Sequence, residues 1–154
     1  MKSAWLYLGV MVFLILVVVV SLLFKPQEVS QLGLIQGRGE LLGVANCDAA
    51  QSPCRIDTQQ GALTLFLEPP VTALQPFMIR LHGERFEASQ LFVTFTMVGM
   101  DMGLNRFVLE REAGEWRGKG ILPICSESRH DWLATLNFVS KGQPYRVEFP
   151  FVTQ

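Results

Sequence analysis

Three thioethers fall within six residues at Met97-x-x-Met100-Asp101-Met102. Thioether sulfur is a soft, neutral donor, and a cluster of such donors selects Cu(I) over hard divalent ions. Gly99 and Gly103 flank the motif and let the backbone turn tightly around a bound ion. Cys125 and His130, spaced C-x4-H, add a thiolate and an imidazole to the same donor class. Met100, Met102 and Cys125 are therefore the expected Cu(I) ligands, with Met97 and His130 in reserve. The same residues have a plainer use. Methionine fills irregular gaps at the end of a core, and Met97 continues an apolar strand face. His130 also reads as an exposed loop histidine, and His82 as a residue on the solvent face of a strand.

The three cysteines carry a second kind of chemistry. In an oxidising compartment two of them pair. Cys47 and Cys54 bracket a short loop containing Pro53 and are the best local pair; Cys125 with either one is the alternative. Leu122-Pro123-Ile124-Cys125 has a half-buried pattern, so the remaining thiol is either inert packing or a redox group. Enzyme chemistry has little support. There is no G-x-S-x-G, H-E-x-x-H or C-x-x-C. Ser126 and Ser128 have no base and orienting partner in evident reach, so we expect no catalytic activity.

These residues need a scaffold, and the sequence supplies it in two parts. Ala4 to Phe24 is a run of 21 residues without charge. At 1.5 Å per helical residue it spans about 30 Å, the thickness of a bilayer core. Trp5 and Tyr7 suit one interface and Lys25 the other. The run is too long for a signal peptide and no small-x-small cleavage site follows it. We expect residues 1–3 as a cytoplasmic tail, 4–24 as a single transmembrane anchor in a bacterial inner membrane, and 25–40 as a tether. That tether reaches at most ~50 Å fully extended. Residues 41–154 then form one periplasmic domain.

That domain alternates with period two. Leu63, Leu65 and Leu67 share one face, as do Phe77, Ile79 and Leu81. Leu91, Val93, Phe95 and Met97 form another, Phe107 pairs with Leu109, and Trp132, Ala134, Leu136 and Phe138 follow. Tyr145, Val147, Phe149 and Phe151 make the last. Such alternation marks half-buried strands. Turn residues separate the runs, so the expected fold is all-β, a single antiparallel sandwich of seven to eight strands after the N-terminal helix.

Strand parity locates the chemistry. Successive antiparallel strands reverse direction, so every second connection lies at the same end. One end collects the Cys47–Cys54 loop, the 69–76 connection, the Gly99–Gly103 loop and the 123–131 loop. His82 and the chain's point of arrival in the domain fall at the other. The methionine end should therefore face away from the membrane.

Composition excludes other classes. Of 154 residues, 49% are hydrophobic and 18% charged, too apolar for a disordered chain. With 13 Lys+Arg against 14 Asp+Glu there is no basic excess, and nucleic acid is not an expected partner.

The stretch Met97-Val98-Gly99-Met100-Asp101-Met102-Gly103-Leu104-Asn105, with Gly114-Glu115-Trp116-Arg117-Gly118, Leu122-Pro123-Ile124-Cys125 and Trp132-Leu133-Ala134, resembles proteobacterial membrane-anchored periplasmic proteins. The Cys47–Cys54 segment and Glu68-Pro69-Pro70 fit the same layout, and the likeness covers roughly residues 45–140. That group is similar to YtkA-like, cupredoxin-like or immunoglobulin-like copper domains. The resemblance implies copper as cargo and a respiratory oxidase or its assembly factors as partners. The sequence lacks the longer Met/His pattern of periplasmic Cu(I) chaperones. Two other readings remain: a metal-free assembly subunit with Met100, Met102 and Leu104 as an apolar docking rim, and a redox role for Cys125.

Overall fold

The computed structural model describes residues 11–18, 39–100, 102–103, 105–124 and 129–153. The chain divides into two compact units, Met1–Gly33 and Leu34–Gln154. In the first, residues 11–18 are helical and their large apolar side chains are all exposed. Among the described residues no helix is long and apolar enough to cross a membrane. The rest of the anchor expected over 4–24, the tail over 1–3 and the tether over 25–38 lie outside the described residues.

The second unit is all-β. Its strands are β1 (Glu40–Val44), β2 (Cys54–Thr58), β3 (Gly61–Leu67), β4 (Pro76–Glu84), β5 (Gln90–Met97), β6 (Phe107–Val108), β7 (Glu110–Glu112), β8 (Glu115–Ile121), β9 (Asp131–Ser140) and β10 (Gln143–Val152). They form two five-stranded sheets, β1-β10-β9-β5-β6 and β2-β3-β4-β8-β7. Each apolar run read from the sequence lies on an inner face. Leu63, Leu65, Ile79, Leu81, Val93, Phe95, Leu136, Phe138, Val147 and Phe149 are fully buried. They belong to one continuous core between the sheets. Phe77 of one sheet meets Phe95 of the other edge-to-face at 5.5 Å, a favoured aromatic geometry.

Two features depart from the expected layout. Among the described residues there are ten strand segments rather than seven or eight, one of the additional ones arising because the run 107–112 is divided. Phe107 and Val108 pair with β5, whereas Glu110 to Glu112 pair with β8. The crossing from one sheet to the other happens at Leu109, and Gly118 makes room for it. A Cβ at Gly118 would lie 2.6 Å from the Leu109 side chain and 2.7 Å from the Val108 carbonyl oxygen. Second, the sandwich is not wholly antiparallel: β1 runs parallel to β10. Glu40, assigned to the tether, is the first residue of β1 and pairs with Tyr145.

Strand direction agrees with the parity argument throughout. Taking β1 as rising, β10 rises, β9 falls, β5 rises and β6 falls. Backbone hydrogen bonds link the other sheet to this one at Ala49, whose N–H donates to the Pro150 carbonyl while its own carbonyl accepts from Leu67 N–H. The ends of β10 and β3 therefore meet, so β3 and β8 rise and β2, β4 and β7 fall. One end of the sandwich then carries the loops 45–53, 68–75, 98–106 and 122–130. This is the methionine end. The other carries the turns at 59–60, 85–89, 113–114 and 141–142.

Candidate functional site

Met97 ends β5 on its inner face and is 2% exposed. The chain then turns through Val98 and Gly99, with Gly99 at φ +82° where a side chain is disfavoured. The turn closes through Met100 N–H donating to the Met97 carbonyl at 3.0 Å. Met97 and Met100 are thus antiparallel bridge partners, and directly opposed residues project from the same face. Met100 and Met102 are both partly buried and pack against the core. The sequence motif is therefore folded back on itself, with thioethers brought towards the core.

Two neighbours fix this arrangement. Met97 pairs across the sheet with Trp132, which stacks on Phe151 at 6.3 Å between ring centres. Asn105 holds the far side of the loop. Its Oδ1 accepts from Phe95 N–H at 2.6 Å, and its Nδ2 donates to the Phe95 carbonyl at 2.8 Å. One side chain thus occupies the hydrogen-bonding positions that a strand residue fills in a ladder. It pins the methionine loop to β5, a positioning role that the sequence reading missed.

The remaining candidates divide. His130 is exposed at the methionine end, with Nδ1 3.2 Å from the Thr153 hydroxyl. Its carbonyl accepts from Thr153 N–H and so extends the β9–β10 ladder by one pair. Cys125 lies outside the described residues, as do Asp101, Leu104, Ser126 and Ser128. Cys47 and Cys54 form a disulfide with Cα atoms 5.6 Å apart. Cys54 is fully buried, so the bridge ties the 45–53 loop to the core at this end. Asp48 shapes that loop, its Oδ1 accepting from Ala50 N–H at 2.9 Å. His82 is exposed on β4 opposite Thr64, towards the other end, where parity puts it.

Electrostatically the methionine end is quiet. Arg129 and Asp131 bind each other, and the hydrogen bond from Arg129 holds the Asp131 carboxyl below its usual value. Stronger pairing lies on the outer face of the β4–β8 sheet. There Arg80 donates two-pronged to Glu115 at 3.0–3.2 Å, Arg117 joins it, and Glu115 is lowered chiefly by the Arg80 hydrogen bond. Around the methionine end the rim is apolar instead. Leu74, Val98 and Ile124 are 60–67% exposed, and Val44, Ile121 and Val152 join them.

Among the described residues no three His, Cys, Asp or Glu gather into a metal-ligating group. The methionines are a separate donor set. Neutral thioethers in an apolar surround suit a soft monovalent ion, which gives up its hydration more readily than a hard divalent one. Searches against protein-family models, curated proteins and solved structures return no match.

Proposed function

We propose that the chain is a single-pass bacterial inner-membrane protein whose periplasmic β-sandwich, of immunoglobulin-like or cupredoxin-like type, carries Cu(I) at its methionine end. It hands the ion on by ligand exchange and in this way aids respiratory oxidase maturation. The observation that carries this reading is the Met97–Met100 bridge. It sets two thioethers on one face, with Met102 against the same core and an exposed histidine, His130, at the same end of the sandwich. The apolar, exposed helix over 11–18 supports the anchor. The Cys47–Cys54 disulfide suits an oxidising compartment.

The donors set the mechanism. Met100 and Met102 are partly buried against the core, while Met97 is fully buried. An incoming donor from a partner would displace these two more accessible sulfurs first. Thioethers carry no proton at neutral pH, so ions held by sulfur from methionine alone bind without proton release. The Cys125 thiol would bind as thiolate, releasing its proton.

The test is a Cu(I) competition titration of the full-length protein in non-ionic detergent against a chromogenic chelator. Wild type binds one equivalent, and the Met100→Leu/Met102→Leu double variant does not, while keeping its fold. If Cys125 is a ligand, affinity rises with pH between about 6 and 8, and Cys125→Ser flattens that rise. Equal binding by wild type and double variant contradicts the reading.

A second reading is favoured by the exposed apolar rim of Leu74, Val98, Ile121 and Ile124. It makes this end a metal-free docking face of an assembly subunit, since clustered exposed apolar side chains mark interaction surfaces. It expects no copper binding, and a crosslink from position 98 to a single membrane protein that Val98→Asp abolishes.

A further inference from the structure

The opposite end of the sandwich holds a cleft of about 920 Å³, within the usual size of ligand sites. Three of the four connections at that end, 59–60, 85–89 and 141–142, contribute to its walls, with β7 beside them. Three cations line it: Arg85 from the β4–β5 loop, Arg111 from β7 and Lys141 from the β9–β10 turn. None of the three is ion-paired among the described residues; Arg111 lies over the Trp116 ring at 5.8 Å. Two carboxylates also line the cleft. Asp57 is already held by Arg55 at 3.2 Å, which leaves Glu87. Phe86 supplies an apolar wall, 7% exposed and edge-on to Phe138 at 4.9 Å.

We propose that this cleft binds a phosphate attached to a polyol. Three cations from separate segments, two loops and a strand, match the charge and the several acceptor oxygens of a phosphate monoester or diester. Glu87 repels a bare anion but accepts hydroxyl hydrogens, and the neutral Gln59 and Gln60 side-chain amides that also line the cleft can accept them too. The preference is therefore for phosphate carrying hydroxyls over inorganic phosphate. Such a group exists free, as glycerol phosphate, and as the headgroup of phosphatidylglycerol. β1 begins at this end, where Glu40 pairs with Tyr145. The lipid source depends on the membrane-anchor reading; the free source does not.

The backbone supplies a clean variant. Arg85 and Lys141 have φ of +53° and +50°, in the left-handed region that asparagine tolerates. Ala113 has the same conformation, φ +48°, in the β7–β8 turn. The conformation is therefore the turn's demand, and the positive charge is a separate choice. Arg85→Asn/Lys141→Asn removes two charges and keeps the geometry.

The experiment follows backbone amides of the full-length protein by NMR. In non-ionic detergent, glycerol phosphate should produce saturable shifts confined to the turns at this end. Inorganic phosphate should bind more weakly, and the double asparagine variant should lose about tenfold in affinity for glycerol phosphate. Unmoved amides at Met97 and Trp132 report that the variant is folded. In phosphatidylcholine nanodiscs containing phosphatidylglycerol, the same shifts without added ligand identify the lipid as the source. Their absence there, with binding of free glycerol phosphate, identifies the soluble molecule. Non-saturating shifts with glycerol phosphate and no lipid effect, or equal shifts in wild type and variant, overturn the proposal.

Discussion

The two ends of this sandwich are built from the same strands and finished in opposite ways. The methionine end is closed. Met97, Trp132 and Phe151 continue the core to its edge, the disulfide draws the 45–53 loop inward, and the side chain of Asn105 fastens the 98–106 loop. The other end is open, walled by turns with charged side chains and by the single aromatic ring of Phe86. A strand pair sheds its hydrogen-bonding constraint at both ends, so the finish depends on loop composition. Long loops rich in apolar and sulfur side chains fold back onto the core. Two-residue turns such as Ala113-Gly114 and Lys141-Gly142 leave no chain to do so.

Substitutions at the two ends should therefore differ most where side chains are truncated. Met97→Ala removes a buried side chain and is expected to cost about 2–4 kcal/mol in chemical denaturation. Lys141→Asn at the open end should stay within about 0.5 kcal/mol. Comparable losses at both ends break the contrast. Met97→Leu sharpens it, because near-equal volume preserves packing while the sulfur is gone. Stability close to wild type with weakened Cu(I) binding separates ligand from filler.

The next effect in size belongs to the disulfide. Replacing Cys47 and Cys54 by Ala and Val frees a short loop and should lower stability by about 2–3 kcal/mol. Hydrogen exchange should then quicken at Ala49 and Leu67 and stay unchanged at the open end. Asn105→Ala leaves Phe95 N–H and C=O without their partner and should cost about 1–2 kcal/mol. Its signature is local: faster exchange at Phe95 and Met100, with β3 and β4 protected as before.

Acid gives the smallest effect. Glu84 and Glu115 are held below their ordinary value by Arg55 and by Arg80, and Asp131 by Arg129. A carboxylate whose value is lowered by folding contributes stability above its unfolded pKa. That contribution is lost as pH falls through the lower folded value. Stability should decline gently below about pH 4.5, with screening by salt reducing the slope. Glu115→Gln should flatten part of it, since Glu115 meets both Arg80 and Arg117.

Much of this frame was legible in the residues. Period-two runs gave the inner faces, because alternation is the physical requirement of a half-buried strand. Turn residues gave the reversals, and parity then gathered the Cys47–Cys54 loop, the methionine loop and His130 at one end. The undivided reading of 107–112 failed at Leu109, since the run keeps its alternation while changing sheets. The space that permits this lies at Gly118, in another strand. Adjacency of β1 and β10 was also hidden, because direction follows from parity and neighbours do not. Asn105 looks like ordinary loop chemistry until Phe95 is beside it. The cleft was wholly illegible, its cations arriving from three separate segments.

The central claim is that the methionines are ligands as well as packing. The direct test is NMR of full-length protein carrying methyl-labelled methionine during anaerobic addition of Cu(I). The account predicts that the Met97, Met100 and Met102 methyl signals shift together and stop at one equivalent, with Met78 on the β4 strand unmoved. Static signals from all three, with copper bound elsewhere or not at all, would contradict it.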